Sequence, residues 1–194
     1  MRRYLLMAAA LLGTASCASS YTAGVSSGGF GVAATTPDRR TEAPTTVYVV
    51  RHGEAEQDGT RDPALTSAGE SRAEALRAAL ADAGIAAIYS SPYRRTQATA
   101  TPLAGALGLR LHEYDPRDAG ALVTRIRREH AGRSVLVVGH SNTVPLVVEA
   151  LGAARPPDLA HAEHDPVFIV RISDRTVETA LLRYGAPSDT ARAH

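Results

Sequence analysis

Thr46-Val47-Tyr48-Val49-Val50-Arg51-His52-Gly53-Glu54 is the stretch on which the reading of this chain turns. A run of β-branched and aromatic residues reads as a buried strand. It stops abruptly at Arg-His-Gly. A guanidinium and an imidazole at the end of an apolar strand are poorly placed for packing. They are well placed for chemistry, because open α/β sheets bind ligands just outside the carboxyl ends of their strands. Gly53 lets the backbone turn sharply and approach a ligand closely.

A second strand of the same kind lies downstream. Ser134-Val135-Leu136-Val137-Val138-Gly139 again delivers an imidazole, His140, at its carboxyl end. Ser141 or Asn142 is the expected cap of the helix Val144 to Leu151. Between the two histidines the pattern alternates. Ser67 and Glu70 have capping-box spacing, with Thr66 as the other candidate cap. Ala68, Leu76, Ala79, Leu80 and Ala83 then recur at helical spacing and are expected to face a sheet. Gly84 closes that helix, and Ile85 to Tyr89 is a strand. Ser90-Ser91-Pro92-Tyr93-Arg94-Arg95-Thr96-Gln97 ends the strand and opens another helix. Two arginines in a first helical turn oppose the macrodipole, and an anion bound there would remove the conflict.

Leu109 to Tyr114 is expected as a third strand carrying Glu113 near its end. Asp115-Pro116 is expected to begin a helix running through Leu122, Val123 and Ile126 to His130, with Arg125, Arg127 and Arg128 on a solvated face. Val167 to Ser173 and Val177 to Tyr184 form a hairpin around Asp174-Arg175. His161 and His164 precede it and read as surface residues.

Working outward from this domain, residues 18–44 are rich in Ser, Thr, Gly, Ala and Pro and read as a flexible linker. Before them, Arg2 and Arg3, an apolar run from Tyr4 to Leu12, and small residues up to Cys17 form an export signal over residues 1–16. The apolar run is too short to span a bilayer. Residues 45–185 are expected to be the folded domain, and 186–194 a disordered tail. With 194 residues, 44% hydrophobic and 21% charged, the chain has enough apolar content for one domain with a core. A net charge of +1 gives no bulk pull toward nucleic acid, and one cysteine excludes an internal disulfide. No HExxH-type spacing supports a zinc site on the histidines and Glu113.

Val-Val-Arg-His-Gly-Glu, Ser-Ser-Pro-Tyr-Arg-Arg-Thr-Gln and Val-Val-Gly-His-Ser-Asn-Thr, in this order, resemble the histidine phosphatase superfamily, the phosphoglycerate mutase-like group, and its small phosphatase branch in particular. The resemblance implies a three-layer α/β/α sandwich: a mostly parallel central sheet with a C-terminal antiparallel hairpin. It also implies a metal-independent phosphomonoester hydrolase working through a phosphohistidine on His52. Arg51 and Arg95 (rather than Arg94) would bind the phosphoryl group with His140. Glu113, in Leu111-His112-Glu113, would be the proton donor, with Asp115 as runner-up. No cofactor is implied, and the partner is a small phosphorylated substrate, with a phosphoprotein as an alternative. The N-terminus resembles a bacterial lipoprotein signal, in which Cys17 becomes the acylated first residue. That implies a membrane-anchored protein of the cell envelope facing the periplasm. A non-catalytic phosphate-binding lipoprotein is the second functional class.

Overall fold

The computed structural model describes residues 43–188; the signal segment, Cys17, residues 18–42 of the linker and residues 189–194 of the tail lie outside them. The order is β1 (Thr45–Arg51), α1 (Ser67–Leu80), β2 (Ile85–Ser90), α2 (Arg94–Leu107), β3 (Leu111–Glu113), α3 (Ala119–Glu129), β4 (Ser134–Gly139), α4 (Val144–Ala150), β5 (Pro166–Ile172) and β6 (Val177–Arg183). Six strands form one sheet in the order β3-β2-β4-β1-β5-β6. The first four of these are parallel to one another, and β5 and β6 run antiparallel as the closing hairpin.

Strand alternation sorts the core onto two faces. Val47, Val49, Val135 and Val137 pack against Leu122, Val123 and Ile126 of α3 and Val144, Val147 and Val148 of α4. Val50, Ile88, Leu136 and Val138 pack against Leu76 and Leu80 of α1 and Ala100 and Leu103 of α2. A sheet buried on both faces requires near-continuous apolar strands, which is what the two histidine-terminated runs are. The hairpin differs. All seven residues of β6 are exposed, and Leu181 and Leu182 are 51% and 57% accessible.

Several local expectations change. The buried stripe of α1 is Gly69, Arg72, Ala73, Leu76 and Leu80, whereas Ala68 and Ala79 are exposed. The helix is rotated so that Gly69 and Arg72 meet the loop after β1. Of the two candidate caps, Thr66 serves, accepting from the Gly69 amide at 3.1 Å. The helix expected from Asp115 starts at Ala119 instead. Asp118 is its cap, accepting from the Ala121 amide at 2.8 Å, while Asp115 is occupied by Arg117. Neither Ser141 nor Asn142 caps α4. Thr143 holds that position, and its hydroxyl accepts from the His140 amide at 2.9 Å. The third strand is only three residues long. Beyond Gly185 the chain still bonds to the domain. Ala186 accepts from Arg72, and Ser188 Oγ accepts from the amides of His164 and Asp165.

Candidate active site

Parallel pairing of β1 with β4 puts Arg51 beside Gly139, and the His52 amide donates to the Gly139 carbonyl at 3.0 Å. The next residue on each strand is therefore a histidine. Their ring centroids lie 5.4 Å apart. Arg95 reaches both rings from the first turn of α2: Nε donates to His52 Nε2 at 3.3 Å and Nη2 to His140 Nδ1 at 3.4 Å. Arg94, its neighbour, is exposed and takes no part. Side chains 88 residues apart in the chain thus meet at the carboxyl ends of three adjacent strands.

Hydrogen-bond partners fix the tautomers. His52 Nδ1 lies 2.7 Å from the Gly53 carbonyl, which can only accept, so the proton is on Nδ1 and the Nε2 lone pair faces the cavity. His140 Nε2 donates to Ser91 Oγ at 2.9 Å, leaving Nδ1 as the acceptor toward Arg95. Burial is the main force holding His52 down at about 3, with Arg51, His140 and Arg95 pushing the same way and the Gly53 carbonyl opposing. His140 is pushed down to about 4, first by burial, then by Arg95 and Arg51. Both rings are neutral at pH 7.

Arg51 is 5% exposed, and burial lowers its guanidinium to about 10, so it stays charged at neutrality. Its Nη1 is spent on three carbonyls of the loop before β5: Ala160 at 2.8 Å, His161 at 2.9 Å and Glu163 at 3.0 Å. Its Nε is buried with no acceptor among the described residues. An orphaned charged donor costs more than almost any other buried group, so an anion at this point would be strongly favoured.

Two cavities meet at His52 and Arg95. One, of about 420 Å³, is bounded by Arg51, Glu54, Glu56, His161 and His164. The other, of about 380 Å³, is bounded by Tyr93, Pro116, Arg117, His140 and Asn142. Glu113 lines neither. It is exposed, its carboxylate accepts from Gln97 at 2.8 Å, and it borders an adjoining cavity of about 550 Å³ that shares Tyr93, Pro116 and Arg117 as a wall. Asp115 borders the same adjoining cavity, paired with Arg117 at 3.1 Å.

Three participants went unread in the sequence. Asp62 is the anion at the start of α2. It accepts from the Arg94 amide at 2.9 Å and lies 3.5 Å from Arg95 Nη1, which resolves the conflict between two arginines and the helix dipole without a ligand. Tyr93 supports the site from one side, edge-on to His140 at 5.0 Å and beneath the Arg95 guanidinium at 4.6 Å. His164, expected on the surface, is 7% exposed, and its Nδ1 lies 2.8 Å from the His52 carbonyl. Burial lowers its pKa first and Arg51 next. Among the described residues no group of three or more His, Cys, Asp or Glu side chains could hold a metal ion. No helix there is long and apolar enough to cross a membrane.

Residues 47–118 match the family described as the histidine phosphatase superfamily (branch 1), a span that includes Arg51, His52, Arg95 and Glu113. That segment of the chain is similar to histidine phosphatases of branch 1. His140 lies beyond the matched span, and it is the strand pairing that brings it to the site. The fold is that of the protein histidine phosphatase SixA solved with tungstate: 21% identity, TM-score 0.59, covering 71% of this chain and 96% of that one. YhfR of Bacillus stearothermophilus matches at 20% identity and TM-score 0.61, covering 71% and 96%. A phosphoserine phosphatase from Entamoeba histolytica matches at 15% identity and TM-score 0.56, covering 73% and 97%. At such identities the likeness speaks for the fold. No curated protein matches the chain by sequence.

Proposed function

We propose that this protein is a phosphomonoester phosphatase that passes the phosphoryl group through His52. The observation that carries the reading is the buried Arg51 Nε, without an acceptor among the described residues, beside two imidazoles held neutral. A tetrahedral dianion would supply acceptors to Arg51 and Arg95 together. A neutral imidazole is the right nucleophile for an anionic ester, since it meets no charge repulsion. His52 Nε2 attacks phosphorus, the bond to the ester oxygen breaks, and the leaving oxygen takes up a proton. Water then attacks the phosphohistidine, the P–N bond breaks, and inorganic phosphate leaves. The incoming negative charge would raise the pKa of His140 and make its Nδ1 a donor to a phosphoryl oxygen.

Glu113 or Asp115, in the adjoining cavity, would serve the leaving group when a substrate bridges the two spaces. Between Arg95 and His140 the chain forms the rest of α2, β3, α3 and β4, with no inserted lid. An open site suits hydrolysis over mutase chemistry, which must keep water from its intermediate. The names of the structural relatives, a protein histidine phosphatase and a phosphoserine phosphatase, favour small phosphoesters or a phosphoprotein as substrate. The sequence of the N-terminus supports acylation at Cys17 and anchoring at the envelope, facing the periplasm.

Incubation with a ³²P-labelled phosphoryl donor, followed by an acid-free quench, should place acid-labile label on His52. Full turnover by His52→Ala would refute the reading. The placement of Glu113 outside both His52 cavities favours a second reading, a phosphate-binding module without turnover. An aryl phosphate assay with tungstate as competitor separates them: tungstate binding with no phosphate release marks the module.

A further inference from the structure

The backbone around the nucleophile is tied down group by group. The His52 amide donates to Gly139, the Gly53 amide donates to Thr99 Oγ1 at 2.9 Å, and the Gly53 carbonyl accepts from His52 Nδ1. That leaves the His52 carbonyl. It accepts from His164, 112 residues further along the chain. Because a carbonyl only accepts, His164 carries its proton on Nδ1.

We propose that His164 is a positioning residue for phosphoryl transfer, its Nδ1–H fixing the peptide plane that follows His52. This rests on the phosphatase reading above. That plane runs from the His52 carbonyl to the Gly53 amide. The next carbonyl, that of Gly53, orients the nucleophilic ring. Releasing the plane would let the ring swing, whereas the charged groups around it would be untouched.

His164 is itself held from two directions. Its amide donates to Ser188 Oγ at 2.8 Å, and the loop just before it is stapled by Arg51 Nη1. Its ring centroid lies 5.8 Å from that of His52, and it borders the cavity shared with Arg51 and Arg95. Its Nε2 makes no hydrogen bond among the described residues, so the fixed end of the ring is Nδ1. The different reach of two amide side chains makes the inference testable. An asparagine places an N–H close to the position of Nδ1, and a glutamine places one close to that of Nε2.

His164→Asn should keep kcat within about threefold of the parent. His164→Gln should lose about 10- to 100-fold in kcat with KM within about twofold, the loss expected when a reacting group is misplaced by about 1 Å. A His164→Asn variant as impaired as His164→Gln, or a fully active His164→Gln, would overturn the proposal. A third measurement does not depend on the variants folding. In the intact protein at pH 7, long-range ¹H–¹⁵N correlation should show His164 protonated at Nδ1. The Nε2–H tautomer would overturn the proposal even if the enzyme is active. Absence of turnover in the parent with the Nδ1–H tautomer present would instead count against the phosphatase reading and leave the clamp standing.

Discussion

Replacing Gly69 by alanine tests how the catalytic loop is seated. Gly69 lies in the first turn of α1 and packs against the loop after β1. A Cβ there would stand 3.0 Å from both the carbonyl carbon and the amide nitrogen of Glu54, and closer still to the Glu54 carbonyl oxygen. The contact is reciprocal, since a Cβ on Gly53 would stand 2.8 Å from the Gly69 carbonyl oxygen. Ordinary contact begins near 3.4 Å, so loop and helix must separate by at least 0.4 Å, and the oxygen demands more. Two effects oppose each other. Alanine is the better helix former by about 1 kcal/mol. Overpacking a close contact costs about 1–3 kcal/mol. The net is a loss of about 0–2 kcal/mol, or up to about 8 °C in Tm for a domain of this size. Activity should suffer more, because the loop carries His52. A displacement approaching 1 Å reduces turnover by about 100-fold, and a smaller one by about tenfold. Steady-state kinetics and a thermal melt on the same sample decide it. Gly69→Ala with unchanged kcat and a raised Tm would show that helix propensity outweighs the contact and that the loop does not depend on it.

Acid should destabilise the protein through its buried imidazoles. With His52 near 3 and His140 near 4 in the folded state, against about 6.5 unfolded, the unfolded chain binds more protons below neutrality. Stability is therefore full above about pH 6.5 and falls toward pH 4 by about 1.4 kcal/mol per unit for each ring; urea midpoints at pH 7, 6 and 5 would reveal it, and a flat profile would contradict the burial argument. Arg72→Ala removes the partner of Glu54, at 2.6 Å, along with bonds to the carbonyls of Tyr184 and Ala186. The pair is largely buried on the arginine side, so a loss of about 3 kcal/mol is expected in chemical denaturation. Chelation by EDTA should leave phosphate release unchanged, and abolition would point to a metal in the reaction.

The strands were legible because their composition admits little else. Val47, Val49, Val135 and Val137 are β-branched, lie in parallel strands and are wholly buried, so local preference and tertiary demand agree. The histidines were legible for the complementary reason: nothing about packing explains them. What escaped was set by contacts distant in sequence. His164 looks like a loop histidine until Arg51 draws its loop inward. Asp62 looks like one more polar residue in a loop until α2 is placed above it. The start of α3 is ambiguous in the sequence because Asp115-Pro116 and Asp118 both offer an entry, and Arg117 claims the first. The sequence puts Glu113 on the third strand, but strand position does not say which cavity a side chain on a sheet edge will border.

One side chain at position 51 combines two features: Nη1 fastens three carbonyls of the 160–163 segment, and Nε is buried without an acceptor among the described residues. On the proposed reading, the grip on an anion and the shape of the cavity wall would thus be inherited together. Lysine would preserve the charge while surrendering the fan of donors, so remodelling this wall to admit a different ester must begin by finding those three carbonyls another anchor.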